Sequence, residues 1–495
     1  MNKSTVDQWK AKIISPEEVI RKIKPGMSIF IGTGVAEPRT LVRTLMNSTA
    51  GNLNDLELIQ LVSFGDAISL GKLRSQQYRL KTFFSGWVSQ DAIMEGRVDL
   101  IPSRFAWIPD LIESGQIPVH AAFVQITPPD KNGNCSLGLA VDAARQAMEK
   151  ATLVIGEINR QVPRTFGDTF VSVSEFTHLV EARDAPIYFD RFPVDAVYDQ
   201  LAVRVAELVE DRSCIAFSIG PLFEALGRHL VHKKHLGVHS PVFTDALMDL
   251  VTAGAVTNRS KGTYRGKSLA SYAIGTPELF TWLDQNPLVE FQAIDKVFNP
   301  SQIGRNAHFT AVVAARKVDL YGRIVLQIGK GTVATGPAEV ADLVSGAEIS
   351  PGGRTIFALP SRNRKGISNI LISIKEFPNQ FKSRESVDVV VTENGITRLK
   401  GFTLRERAQD LIDIAHPADR HLLIEQAKAA NIIYPDQIFQ ADSAHLYPPA
   451  VDEISRLKDG TAVRYRPMKP SDEEQMRQLF YRFSNEAVYY RYFGH

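Results

Sequence analysis

A strand, a glycine-proline turn and an amphipathic helix follow one another in residues 216–245. The turn lies at Gly220 and Pro221, and the helix after it carries apolar residues three and four positions apart. A second apolar stretch then leads to Pro241. In open α/β sheets, ligands bind where strand ends meet helix N-termini, because backbone N–H groups and the helix dipole face the crevice there. We therefore predict the functional site at this strand end, where the N–H of Gly220 can reach a substrate carbonyl or an oxyanion.

A similar unit opens the chain. A helix begins near Pro16, a strand follows at 27–31, and a glycine turn leads into a second helix over about 38–45. Placing Gly34 on Gly220 aligns helix with helix and strand with strand. The fold class predicted from this repeat is α/β, with two similar open domains and mainly parallel sheets. The alternative is that any two helix–strand units match this loosely.

Further apolar runs of strand length, separated by helical stretches, favour parallel sheets with right-handed crossovers. They lie at 56–62, 121–126, 152–156, 311–314, 324–328, 355–359 and 387–391. Two prolines and mixed charge interrupt the pattern between 182 and 193. We therefore predict an N-terminal domain over 1–185, a second domain over 186–440, and a linker with a partial domain over 441–495.

Composition excludes several classes of function. The 57 Lys and Arg residues nearly balance the 55 Asp and Glu residues, so no bulk charge favours nucleic acid or an anionic membrane. Two cysteines among 495 residues argue against a disulfide framework and fit a reducing cytoplasm. The N-terminus has no signal-like apolar core, and no apolar run approaches the roughly 20 residues that span a bilayer. We expect a soluble, cytoplasmic protein.

Six segments carry a family resemblance: TPPDKNGNCSLG (127–138), SIGPLFEAL (218–226), LGVHSPVFTDALMDLV (236–251), NPLVEFQAIDKVFNP (286–300), ARKVDLYGR (315–323) and VVVTENGITRLKGFTLRERAQDLIDIAHPADR (389–420). In this order they resemble the acetyl-CoA hydrolase/transferase family. The resemblance implies two open α/β domains, a short acyl-CoA and a small carboxylic acid as substrates, no permanently bound cofactor, and a site in the cleft between the domains.

The family's chemistry, as the resemblance implies it, is covalent. A glutamate attacks the thioester, CoA attacks the resulting anhydride to give a glutamyl-CoA thioester, and a second acid reverses the steps. Such a route splits one difficult exchange into easier ones and needs backbone N–H groups for the tetrahedral oxyanions.

Two positions depart from the family pattern. The family reads His-Thr-Glu where this chain reads His-Ser-Pro, so Pro241 stands at the position of the nucleophilic glutamate. The oxyanion loop, usually Gly-x-Gly-Gly shortly before an aspartate, keeps one glycine, Gly336, ahead of Asp342. A shifted alignment is the alternative reading of both departures.

Three other residues remain candidates for catalysis. The resemblance implies that Asn299 and Glu393 line the cleft, where an amide and a carboxylate can orient substrate and loop. Asparagine before proline is also an ordinary turn residue, and Glu393 could be a turn cap. Glu290, within an apolar run, is a candidate substitute nucleophile, although such a glutamate is more often a structural hydrogen-bond partner. Asp245 and Glu339 are weaker candidates.

A basic loop follows the apolar run that ends at Leu359. Arg362, Arg364, Lys365 and Gly366 offer three cations and a glycine, which suit the phosphates of CoA. The alternative is a solvated basic surface. His229, His232 and His235 repeat every three residues, but neighbouring lysines and the lack of a nearby acid or cysteine favour a basic face, so we predict no metal site.

The C-terminus carries a separate pattern. Residues 461–468 alternate like a strand, and a capping box at 471–474 opens a helix with an apolar face. This pair of elements resembles the opening of a GNAT acetyltransferase domain. About 35 residues are too few to bury a core of their own. The alternative is an ordered tail packed on the main body.

Two classes of function follow. The first is a CoA-transferase or acyl-CoA hydrolase, which the resemblance favours. The second is a catalytically impaired CoA-binding or acyl-CoA-binding module that regulates, or is fused to, an acetyltransferase; Pro241 and the altered loop favour it. We take the first as the prediction and leave a homo-oligomer open.

Overall fold

The computed structural model describes residues 9–63, 68, 77–84, 89–326, 338–377, 379–435, 453–466, 472–484, 486–487 and 490. The helices of these ranges are α1 (Pro16–Lys22), α2 (Arg39–Asn47), α3 (Ser89–Met94), α4 (Ile108–Glu113), α5 (Ala144–Lys150), α6 (Ala196–Glu207), α7 (Pro221–His229), α8 (Asp245–Thr252), α9 (Pro277–Leu283), α10 (Ile294–Val297), α11 (Pro300–Gly304), α12 (Val340–Ile349), α13 (Leu404–Asp413), α14 (Pro417–Ala429) and α15 (Glu473–Phe480).

The first half of the chain builds one parallel sheet. Its strands are β1 (Ser28–Ile31), β2 (Leu56–Gln60), β3 (Tyr78–Thr82), β4 (Val98–Leu100), β5 (Ala121–Ile126), β6 (Asn134–Ser136), β7 (Leu153–Ile158), β8 (Phe166–Gly167), β9 (Phe170–Ser172) and β10 (His178–Glu181). Seven of them form the order β10-β7-β5-β1-β2-β3-β4, with every pair parallel. β5 and β7 are buried along their whole length, as strands in the middle of such a sheet are.

The second half builds another sheet. Its strands are β11 (Cys214–Ala216), β12 (Gly237–Val238), β13 (Val242–Phe243), β14 (Ser268–Ala270), β15 (Tyr272–Ala273), β16 (Val289–Phe291), β17 (Phe309–Asp319), β18 (Ile324–Leu326), β19 (Arg354–Ala358), β20 (Ile370–Leu371), β21 (Val389–Thr392) and β22 (Gly395–Arg398). The main order is β12-β11-β17-β19-β21-β22, and β18 and β20 pair with β17.

The predicted α/β fold with mainly parallel sheets is confirmed, and the main sheet of the second half has two antiparallel additions. β18 returns along β17, and β22 returns along β21. Each follows its partner after a connection of two to four residues, which is too short for a parallel crossover. The last two residues of the predicted strand 324–328 lie outside the described residues.

The predicted repeat places helix on helix and strand on strand. α1 and β1 correspond to α6 and β11, and the aligned pair Val19 and Val205 are both fully buried. Local signals set the helix ends: Ser15 forms a capping box at α1, and Asp195 caps α6 by accepting from the Tyr198 N–H at 2.9 Å. The domain boundaries at 185 and 440 stay predictions.

Backbone pairing crosses between the two halves. β8, from the first half, pairs with β16, from the second. Gly167 in β8 has a φ of 104°, and a Cβ there would lie 2.1 Å from the carbonyl oxygen of Phe291, so no larger residue fits without a shift. Ala140 also bridges Tyr272. Main-chain hydrogen bonds of the β-sheet type therefore join the two halves along a seam formed by β8 with β16 and by Ala140 with Tyr272.

The C-terminal segment adds a hairpin of β23 (Glu453–Arg456) and β24 (Ala462–Tyr465), followed by α15. Strand and helix lie where the sequence predicts them, while Ser471 of the predicted capping box is outside the described residues. Ile454, Tyr465 and Phe480 are exposed. In the part of the chain that the structure covers, no helix combines the length and apolar character needed to cross a bilayer. Both cysteines are buried free thiols.

A buried glutamate in the first sheet gives a pH-dependent stability. Glu157 in β7 accepts hydrogen bonds from the N–H groups of Leu41 (2.9 Å) and Thr40 (3.3 Å), and burial raises its pKa from 4.5 to about 7. The folded state therefore holds this proton more tightly than the unfolded chain, so stability falls as pH rises from about 4.5 to 7. Glu157→Gln should reduce this pH-dependent decrease in the free energy of unfolding by about 2–3 kcal/mol.

Urea unfolding at pH 4.5, 6 and 7.5 measures the effect, with the exposed Glu149→Gln as the matched control. If the free energy of unfolding changes equally with pH in Glu157→Gln and in the wild-type protein, the prediction is contradicted.

Candidate active site

The turn between β11 and α7 presents unused backbone donors. Gly220 has φ 125° and ψ 175°, a conformation that favours glycine, and it precedes Pro221 at the start of α7. The N–H groups of Ser218, Ile219 and Gly220 have no acceptor among the described residues. All three residues are half-buried. Together with the N-terminus of α7, they can hold a carbonyl oxygen or an oxyanion.

A cleft lies in front of this turn and reaches α8. Glu224 and Thr244 line it, and both are buried. Burial raises the pKa of Glu224, and Asp245 and Asp249 raise it further, while Arg191 at 3.6 Å opposes them. Thr244 Oγ1 has no hydrogen-bond partner within the described ranges.

Pro241 is held in place by its neighbours. The Ser240 hydroxyl accepts from the Phe217 N–H at 3.0 Å and donates to the Phe217 carbonyl at 2.9 Å. The Pro241 carbonyl accepts from the Ser271 N–H at 3.1 Å. Pro241 is buried and contributes no ionisable group, so any acid–base chemistry at this strand end comes from other residues.

His239, two residues earlier, is structural. Its Nε2 donates to the Val297 carbonyl at 2.7 Å, and its Nδ1 accepts from the Asn306 amide at 3.2 Å. Burial, with the nearby Lys261 charge, lowers its pKa to about 3. The imidazole therefore stays neutral near pH 7 and has no free nitrogen for substrate.

Glu393 lies in the two-residue turn between β21 and β22. Its Oε2 accepts from the Ser361 N–H at 2.8 Å, and its Oε1 accepts from the Ser361 hydroxyl. The Asn394 amide lies 3.3 Å from the same Oε1. The carboxylate thus fixes the start of the predicted basic loop. Its predicted role in orienting the substrate stays a prediction.

Asn299 and Glu290 have structural partners too. Asn299 caps α11, accepting from the N–H groups of Ser301 (3.0 Å) and Gln302 (3.2 Å). Glu290 accepts from the Gln292 amide at 2.8 Å and pairs with Lys267 at 3.1 Å. Asn299 keeps its amide NH₂ for a ligand, whereas both oxygens of Glu290 are occupied.

The weaker carboxylate candidates differ from each other. Asp245 accepts from the Thr276 hydroxyl at 2.5 Å and from the Thr276 N–H at 3.2 Å. Glu339 is half-buried, desolvation raises the pKa of its carboxyl, and its buried Oε2 has no partner among the residues described. Gly336, predicted for the oxyanion loop, lies outside the described residues.

The basic loop is a tight turn closed by a bridge between Arg362 and Ser368. Arg362 Nε and one terminal nitrogen bind Asp419 at 2.8 and 2.5 Å, so its guanidinium is committed to a structural pair. Arg364 and Lys365 are exposed, and Gly366 has a φ of 75°. Two of the three predicted phosphate ligands are therefore available at the surface.

The three histidines considered for a metal do not share a helix. α7 ends at His229, whose Nε2 lies 2.9 Å from Asp199 Oδ1. His235 has a φ of 60° beyond the helix end. Among the described residues, no group of three or more His, Cys, Asp or Glu side chains has a metal-binding arrangement.

The sequence-based prediction missed a polar cluster in the seam. Asp142, Thr33 and Ser271 are buried, and both Asp142 oxygens and the two hydroxyls lack hydrogen bonds to the described residues. One signal was available: Asp142 is the single acid in the apolar stretch 137–144, directly before α5. Burying such an acid costs free energy unless its charge is compensated.

Comparison with known proteins places this site in a family. The N-terminal domain model of the acetyl-CoA hydrolase/transferase family matches residues 1–205, and its C-terminal domain model matches residues 275–427. A 4-hydroxybutyrate coenzyme A transferase of Clostridium kluyveri is 34% identical over 422 residues, which cover 85% of this chain and 98% of that protein.

Two solved structures are similar. RipA from Yersinia pestis has a TM-score of 0.81 at 28% identity, covering 88% of this chain and 100% of RipA. A 4-hydroxybutyrate CoA-transferase from Porphyromonas gingivalis has a TM-score of 0.72 at 29% identity, covering 86% of this chain and 99% of that one. Both domain models and a relative above 30% identity agree: this chain belongs to the acetyl-CoA hydrolase/transferase family.

Proposed function

We propose that this protein transfers CoA from a short acyl-CoA to a small carboxylic acid, or hydrolyses the acyl-CoA thioester with water as the acceptor. Family membership along both halves of the chain supports this. The observation that carries it is the cleft at the start of α7, where the N–H groups of 218–220 lie beside the buried carboxylates of Glu224 and Asp245. Thioester cleavage needs both an oxyanion site and a base or nucleophile.

Individual roles follow from the contacts. We assign the N–H groups around Gly220 to the thioester oxyanion or to a pantetheine carbonyl, and the NH₂ of Asn299 to the same substrate. Glu393 positions the basic loop through Ser361. Arg364 and Lys365 bind CoA phosphates. Gly336 is kept as a proposed oxyanion donor.

A second candidate function rests on Pro241. A protein without a carboxylate at this strand end could bind acyl-CoA and not transfer it. The C-terminal strand and helix, which resemble the opening of a GNAT domain, would then belong to an acetyltransferase that this module feeds or regulates. The family models that match end at residue 427. A cytoplasmic location and a homo-oligomeric state are likewise proposals.

Turnover and binding separate the two candidates. Acetyl-CoA, propionyl-CoA and butyryl-CoA are each mixed with the protein, with and without acetate or succinate, and free thiol and new acyl-CoA are quantified. The enzyme predicts thiol release or exchange. The binding module predicts a rise in melting temperature with acyl-CoA, by mass action, but no reaction. A protein that gives neither result would refute both.

Pro241→Glu tests the strand end directly. We expect it to create or raise exchange of labelled acetate into acetyl-CoA, because a carboxylate there can form the covalent thioester. Pro241→Gln is the matched control, since a glutamine side chain has nearly the shape of glutamate without its charge. Equal exchange in the two folded variants would show that the strand end is not where the nucleophile is needed.

The basic loop is tested by the double variant Arg364→Ala/Lys365→Ala. Removal of two exposed cations should weaken acetyl-CoA binding about 10-fold or more at low salt, because each phosphate contact is charge-assisted. The affinity for acetyl-pantetheine, which lacks the nucleotide phosphates, should not change. Titration calorimetry measures both, and a parallel loss for the two ligands would contradict phosphate binding by this loop.

A further inference from the structure

The candidate carboxylates differ in how many of their oxygens are engaged. Both oxygens are hydrogen-bonded or ion-paired in Glu290, in Asp245 and in Glu393. Asp142 is the opposite case, since neither of its oxygens makes a hydrogen bond to the described residues, although only 1% of the residue is exposed. A buried carboxylate costs free energy unless it is compensated, so this one calls for a functional explanation.

Backbone hydrogen bonds place Asp142 beside the strand end. The Val141 N–H donates to the Ser271 carbonyl at 3.0 Å, and the Ser271 N–H donates to the Pro241 carbonyl at 3.1 Å. Two strand spacings, about 10 Å, therefore separate Val141 from Pro241, and Asp142 is the residue that follows Val141. The Asp142 carbonyl also accepts from the Ile294 N–H at 3.1 Å, and its φ of 38° holds the residue in a left-handed conformation.

The surroundings of the carboxylate are polar and come from both halves. The Thr33 hydroxyl and N–H, in the turn after β1, and the N–H groups of Ala143 and Ala144 lie near the carboxylate and lower the pKa of Asp142, although none of them meets full hydrogen-bond geometry with it. The facing ionisable groups are Tyr272 and Glu339: the charges of Glu339 and Asp142 both raise the pKa of the Tyr272 phenol. The Ser271 and Thr33 hydroxyls have no partner in the described part of the chain.

We propose that Asp142 is the general base that activates water for thioester cleavage, an assignment that rests on the proposed function. The Asp142 carboxylate takes one proton from water while the water oxygen bonds to the acyl carbon. The C–S bond then breaks, and the thiolate of CoA takes the proton back from Asp142. The sum is acyl-CoA and water to a carboxylic acid and CoA, with no further reactant.

The acid–base properties suit this role. Burial raises the pKa of Asp142 to about 6, against the opposing effect of its N–H neighbours. A base with a pKa just below the working pH is mostly ionised and still basic enough to accept a proton from water. The activity should therefore rise with pH through about 6 and level off above it.

Asp142→Asn keeps the shape and removes the base. We expect kcat for acetyl-CoA hydrolysis to fall 10²- to 10⁴-fold, and the pH dependence near 6 to disappear from the residual rate. The rise in melting temperature with acetyl-CoA should remain. Glu157→Gln is the matched control, because it neutralises another buried carboxylate away from the seam, and it should retain the wild-type rate and pH profile.

The outcomes are separable. If the wild-type protein releases no thiol from any acyl-CoA, the proposed function fails, and this assignment with it. If the wild type is active and Asp142→Asn keeps more than a third of its rate with the same pH profile, only the assignment of Asp142 fails.

Two measurements on the wild-type protein decide the case even if Asp142→Asn does not fold. A single turnover in H₂¹⁸O should place one ¹⁸O in the released acid and none in the peptide that contains Asp142; label in that peptide would overturn the general-base role. Acetyl-CoA binding at pH 6, titrated in two buffers of different ionisation enthalpy, should show proton uptake or release. Binding without proton exchange would mean that the thioester does not reach Asp142.

Discussion

Backbone hydrogen bonds through Ser271 hold the two halves of this protein in one register. Its N–H reaches the strand end of the second half at Pro241, and its carbonyl accepts from Val141 of the first half. The pairing of β8 with β16 extends the same seam, and it needs glycine at position 167, because a Cβ there would collide with the Phe291 carbonyl oxygen. Because main-chain hydrogen bonds fix the register of the paired segments, side chains from distant parts of the chain face each other here in a defined geometry.

That geometry separates positioning groups from reactive ones. Glu393, Arg362 and His239 bind neighbouring protein groups, as does the side-chain oxygen of Asn299, and these contacts fix a loop, a helix start or a strand. Four of the buried polar atoms without a partner among the described residues belong instead to Thr33, Asp142 and Ser271. A buried polar group without a partner destabilises the fold, so its retention is understandable where it meets a substrate.

Much of the fold was readable from local sequence. The strands at 56–62, 121–126 and 355–359 and the helix after Pro221 follow from apolar spacing, and they occur where it predicts them. The antiparallel hairpins were missed, because an apolar run predicts a strand but not its direction relative to the neighbouring strand. That direction depends on the length of the connection between the two strands. β3 and β4 were missed because charged residues interrupt their apolar pattern.

The sequence by itself determined the fold class, the family and the residue types at the strand end, since these follow from periodicity and from motifs that are contiguous in the chain. Only the tertiary structure decided which carboxylates are free to react. Hydrogen bonding depends on partners brought in from elsewhere, as Thr276 is to Asp245 and Ser361 is to Glu393. The same physical reason applies to Asp142, whose distinguishing property is a buried carboxylate that makes no hydrogen bond of full geometry to the described residues.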